Sequence, residues 1–145
     1  MKSFIRALGR EAESRATALA TNRGGETATL YFGGGTPSML SDTHLGRLME
    51  TLDRLVPVDK LDEFSFEANP ATFTEKKVRF WRSLGMTRVS LGVQSLDSGI
   101  LHLLGREHTP AQALHSVEML KNAGMAHINM DLMFAIPGQT LSIWE

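Results

Sequence analysis

The sequence predicts an α/β fold, a partial (β/α) barrel of about four parallel strands with outer helices. Four short runs rich in β-formers, near 28–33, 61–68, 87–93 and 126–133, alternate with longer helical patterns. Each helical pattern carries a single apolar stripe, as a helix laid on a sheet requires. The strand runs alternate apolar with polar residues, whereas parallel strands covered on both faces read as continuous apolar runs.

The first helix is expected over about 2–20, with Ile5, Leu8, Ala12, Ala16 and Leu19 on one stripe and an end before Gly24-Gly25. A second begins after Ser41 as N-cap, places Leu45, Leu48, Met49, Leu52 and Leu55 at helical spacing, and stops at Pro57. A third takes Thr74 as N-cap, buries Val78, Trp81 and Leu84, and stops at Gly85. The fourth opens with Thr109 and Pro110, carries Leu114, Val117 and Leu120, and ends at Gly124.

In the strands, Phe64, Phe66 and Ala68 share a face opposite Glu63, Ser65 and Glu67. Val89, Leu91 and Val93 oppose Arg88, Ser90, Gly92 and Gln94, and Ile128, Met130 and Leu132 oppose His127, Asn129 and Asp131. The apolar faces are expected to meet the helices. An open sheet with one wet face would satisfy this pattern; a sheet curved around a polar, ligand-holding lumen accounts for it better.

Composition narrows the functions available. A chain of 145 residues is read as one partial domain, and its net charge of −1 gives no bulk attraction for nucleic acid. No apolar run approaches the roughly 20 residues of a membrane span, and the first residues lack the apolar core of a signal peptide, so a cytoplasmic location is expected. There is no cysteine, which excludes disulfides and thiolate metal sites within the chain.

Chemistry is expected at the carboxyl ends of the strands. Tyr31-Phe32-Gly33-Gly34-Gly35-Thr36-Pro37 is a strand running into a glycine loop, whose bare amides suit small anionic or zwitterionic groups. Glu67 and Asn69 end the second strand, Gln94 the third, and Asp131 lies near the end of the fourth, with Arg106 in the loop after Gln94. Each has an ordinary structural alternative. Gly33 to Thr36 could be only a turn, Glu67 a solvated carboxylate, and Gln94 a cap for the next helical turn. Arg106 could pair with Glu107, and Asp131 with Arg88 across the lumen. Jointly they suit an aminoacyl nucleoside: bare amides and a carboxylate for an ammonium, a guanidinium for a carboxylate, and Gln with Asp for ribose hydroxyls.

The stretches Gly33-Gly34-Gly35-Thr36-Pro37-Ser38, Glu67-Ala68-Asn69-Pro70, Ser90-Leu91-Gly92-Val93-Gln94-Ser95, Leu104-Gly105-Arg106-Glu107-His108, Ile128-Asn129-Met130-Asp131-Leu132-Met133 and Ile136-Pro137-Gly138-Gln139-Thr140 run in one order along the chain. With them the sequence resembles the radical S-adenosylmethionine (SAM) superfamily, within it the oxygen-independent coproporphyrinogen III oxidases and related heme chaperones. The resemblance implies that Gly34, Gly35 and Thr36 hold the methionyl amino group and Arg106 the methionyl carboxylate. It gives Gln94 and Asp131 the ribose, and Glu67 the amino or ribose region. Asn69 in place of a further acid is closer to the chaperone branch, implying heme or a porphyrinogen as the small-molecule partner.

The family carries a Cys-x3-Cys-x2-Cys loop holding a [4Fe–4S] cluster, and this chain has no cysteine. The chain is therefore expected to be an internal fragment of the family's barrel, missing the first strand and the last ones, with heme binding placed in a later region. Marginal stability or self-association is expected of it, and no reductive cleavage of SAM. A phosphate-binding βα barrel without radical chemistry ranks lower, because it leaves Arg106, Gln94 and Asp131 without a ligand. No histidine pair has metal-ligand spacing, and His108 alone lies near the expected site.

Overall fold

Among the described residues four strands form one parallel sheet in chain order: β1 (Thr29–Phe32), β2 (Glu63–Ala68), β3 (Arg88–Gln94) and β4 (His127–Leu132). The computed structural model describes residues 2–21 and 28–144, with side chains for 2–16 and 28–144. The expected helix end at Gly24-Gly25 and the side chain of Leu19 lie outside these residues. The helices are α1 (Lys2–Thr21), α2 (Asp42–Asp53), α3 (Glu75–Ser83), α4 (Ser98–Leu103), α5 (Pro110–Asn122) and α6 (Leu141–Trp144). Among the described residues, no helix is long and apolar enough to cross a membrane.

The expected caps form. Ser41 accepts from His44 N at 3.3 Å, Thr74 from Lys77 N at 3.4 Å and Thr109 from Gln112 N at 3.2 Å. Gln112 returns a bond to Thr109 N at 2.8 Å, completing a capping box that two orphan amides of α5 need. The short helix α4 follows the turn at 95–97, and Asp97 caps it, accepting from Ile100 N at 2.8 Å.

The core lies between the outer face of the sheet and the helices. Phe64, Phe66, Val89, Leu91 and Val93 are fully or almost fully buried there, against Leu45, Val78, Trp81 and Leu120. Trp81 is its centre, with ring centroids 4.8 Å from Phe66 and 5.2 Å from Phe73. Strand register is specified by this burial, since a slip of one residue would turn the phenylalanines to the polar side.

Three expectations need correction. Leu114 is exposed, and α5 instead turns Ala113, Ser116 and Leu120 inward, because small residues let it lie close to β3 and α3. On α1 Ile5 is buried but Leu8 is not; the helix packs on α2, where a Cβ at Gly9 would lie 3.4 Å from Thr51 Cγ2. On β4 the apolar face is covered only at its start, where Ile128 packs against the core. Met130 and Leu132 are each 46% exposed, and Trp144 of the four-residue α6 packs on Phe134 instead.

The indole Nε1 of Trp81 has no hydrogen-bond partner among the described residues. Trp81→Ala is expected to cost about 3–5 kcal/mol through the cavity it leaves. Trp81→Phe is expected to cost only about 1 kcal/mol, because it removes a donor that was already unsatisfied. Urea unfolding of the two variants measures the difference, and equal losses would contradict this account of the core.

Candidate functional site

Alternation along the strands delivers the polar side chains to the inner face. At its lower end Glu63 accepts from Arg88 Nε at 2.7 Å and from Ser65 Oγ at 2.5 Å. These bonds, the hydroxyl first and the guanidinium second, hold the Glu63 carboxyl below its ordinary range. Arg88 thus pairs with Glu63, not with Asp131.

Asp131 is held from β3 and from its own strand. Ser90 Oγ donates to its two carboxylate oxygens at 2.8 and 2.9 Å, and Asn129 Nδ2 to Oδ1 at 2.7 Å. Across the sheet, the Tyr31 hydroxyl donates to Glu67 Oε1. That bond raises the Tyr31 pKa above its ordinary value, with burial and the charges of Glu67 and Asp131 adding to it. Gly33 makes the pairing possible, since a Cβ there would sit 2.4 Å from the Tyr31 ring and 2.9 Å from Glu67 Oε1.

Above these residues lies a polar cleft of about 180 Å³ lined by Gly35, Thr36, Glu67, Asn69, Gln94 and Asp131, with Pro37, Ala68, Ser90 and Gly92 completing its wall. The structure therefore brings five of the seven expected site residues to one cleft. Gly34, at φ +92°, does not line it. Neither does Arg106, whose Nη2 donates to Asn69 Oδ1 at 2.7 Å and to Gly92 O at 2.8 Å, beside two residues of the wall. Glu107, the alternative partner for Arg106, makes no ion pair with it.

Gln94 reaches the cleft through an irregularity. Between Leu91 and Gln94 the third strand carries one residue more than the fourth, pairing Leu91 with Met130 and Gln94 with Leu132. Gln94 has φ +67°, and Ser95 N closes a γ-turn on Val93 O at 2.8 Å. The capping role that was the structural alternative for Gln94 falls to Asp97. Val93 O also accepts from His108 Nε2 at 3.1 Å. A carbonyl only accepts, so this contact places the proton on Nε2. Burial lowers the His108 pKa; the bond to Val93 O opposes that effect and the nearby Arg106 charge reinforces it.

Tyr31, Ser90, Gly92 and Asn129 are residues of the site that motif reasoning passed over. Period-two alternation already sets Ser90, Gly92 and Asn129 on the polar face, and the same pattern read along β1 would have added Tyr31.

The family model described as "Radical SAM superfamily" matches residues 9–145. The heme chaperone HemW of Lactococcus lactis is 41% identical over 115 residues, covering 79% of this chain and 30% of that protein. That of Bacillus subtilis is 39% identical over 118 residues, covering 81% and 31%. The solved structure of the Escherichia coli coproporphyrinogen III oxidase HemN, described as a radical SAM enzyme, superimposes with a TM-score of 0.85 at 27% identity. That match covers 99% of this chain and 32% of HemN. The chain thus spans about a third of the length of these relatives.

Two predictions follow from the γ-turn and the histidine beneath it. Positive φ costs an L-residue about 1–2 kcal/mol, part of which glycine recovers, so Gln94→Gly is expected to stabilise the chain by about 0.5–1 kcal/mol. Denaturant unfolding beside Gln94→Ala tests this, and a Gly variant no more stable than the Ala variant would contradict it. For His108, the unfolded chain takes up a proton at higher pH than the folded chain. Its contribution is whole above the unfolded pKa of about 6.5 and is lost as pH falls below it. Stability should therefore drop between pH 7 and 5.5, with a flatter profile in His108→Gln; parallel profiles would refute this.

Proposed function

The chain belongs to the radical SAM superfamily, and on that premise we propose that it forms a SAM-contacting wall in a heme chaperone of the HemW kind. The relatives named above support the chaperone branch. The observation that carries the cofactor reading is the gathering of Thr36, Glu67, Gln94 and Asp131 around one cleft at the ends of four adjacent strands.

The donor and acceptor set fits the cofactor. Two carboxylates suit an ammonium and a ribose diol, Gln94 offers both an amide donor and an acceptor, and the loop at Gly35 and Thr36 presents a hydroxyl and unshielded backbone. When bound, SAM supplies a sulfonium centre flanked by a zwitterionic methionyl group and a nucleoside. Glu67 is to take the ammonium, exchanging its bond from Tyr31 for a charged donor. Asp131, preset by Ser90 and Asn129, and Gln94, aimed by its γ-turn, are to take the ribose hydroxyls. Arg106, held by Asn69 and Gly92 O, is to take the methionyl carboxylate.

An iron–sulfur cluster does not fit this chain's own residues. No cysteine is present, and no group of histidine, aspartate and glutamate suited to a metal occurs among the described residues. Porphyrinogen oxidation is the second reading, favoured by the backbone likeness to HemN.

Equilibrium binding of SAM to the full-length protein tests the proposal. A charge-assisted hydrogen bond contributes about 1.5–3 kcal/mol, so Glu67→Gln and Asp131→Asn should each weaken binding by about tenfold or more. Variants that bind as tightly as the wild type would overturn the cofactor assignment. A heme titration followed in the Soret region tests the branch, and absence of saturable binding would remove the chaperone role.

A further inference from the structure

We infer that Asn69 is a positioning residue that sets the spacing between the guanidinium of Arg106 and the glycine loop. The inference rests on the SAM reading of the cleft. Asn69 Oδ1 accepts from Arg106 Nη2 at 2.7 Å, and its Nδ2 donates to Thr36 Oγ1 at 3.3 Å. One amide thus joins a loop after β3 to the loop after β1, across the end of β2. The two groups so joined are the ones expected to meet the two charged ends of the methionyl group.

The aim of the Asn69 side chain is itself fixed. The Asn69 backbone carbonyl accepts from Thr72 Oγ1 at 2.7 Å, its backbone N–H donates to the fully buried Ser38 Oγ at 3.4 Å, and Pro70 restricts its backbone to extended conformations. Opposite it, Gly92 leaves the necessary room. A Cβ at that position would lie 3.0 Å from Asn69 Oδ1 and 3.3 Å from Arg106 Nη2. A neutral amide suits this place. Aspartate could accept from both partners, but its negative charge would compete with an incoming carboxylate for the guanidinium.

Dissociation constants of the full-length protein for SAM and for 5′-methylthioadenosine, which lacks the amino-acid end, test the assignment. Asn69→Ala and the near-isosteric Asn69→Asp should each weaken SAM binding about tenfold while leaving methylthioadenosine unchanged. In an Arg106→Ala background the Asn69→Ala change should have no further effect. Wild-type affinity for SAM in both Asn69 variants would overturn the inference. So would an equal loss of both ligands, or a penalty that persists without Arg106. Wild-type protein that binds neither ligand overturns the SAM reading itself, and this inference with it.

Discussion

Burial of Phe64, Phe66, Val89, Leu91 and Val93 against α3 and α5 leaves the central strands a single orientation. Side chains in a strand alternate, so fixing these residues outward fixes Glu63, Ser65, Glu67, Ser90, Gly92 and Gln94 inward. The polar cleft is the other side of that constraint. Every contact within it, from Tyr31 with Glu67 to Ser90 with Asp131, depends on the aromatic seam around Trp81 holding register.

Regular geometry stops where the cleft begins. Gln94 sits at positive φ on a bulge, and Asn69 opens a turn in which Ala71 has φ +61°. Both departures are held by buried polar partners. Ser116 Oγ accepts from Ala71 N at 3.2 Å, and Val93 O collects both Ser95 and His108. Strained backbone of this kind costs on the order of 1–3 kcal/mol per residue and persists only where its surroundings over-determine it.

Much of this was legible in the sequence. Caps at Ser41, Thr74 and Thr109 need only local chemistry, and alternation in β2 and β3 needs only the pleat, so both could be read directly. The cleft followed from strand ends alone, which is why Thr36, Glu67, Gln94 and Asp131 were nameable. Pairings across the fold were not. Arg88 chooses Glu63 over Asp131, and Arg106 chooses Asn69 over Glu107, because register and loop path decide distance and composition does not. The exposed Leu114, Met130 and Leu132 were missed for a related reason. Periodicity identifies an apolar stripe but not whether anything lies against it.

Among the described residues the sheet order β1-β2-β3-β4 is also the order of the chain, and each strand pairs with its neighbours in sequence. During synthesis the sheet can therefore lengthen one strand–helix unit at a time, each new unit docking on an edge already formed. The cleft is assembled on the same schedule. Among its described parts the glycine loop is made before β4, whose Asp131 then finds Ser90.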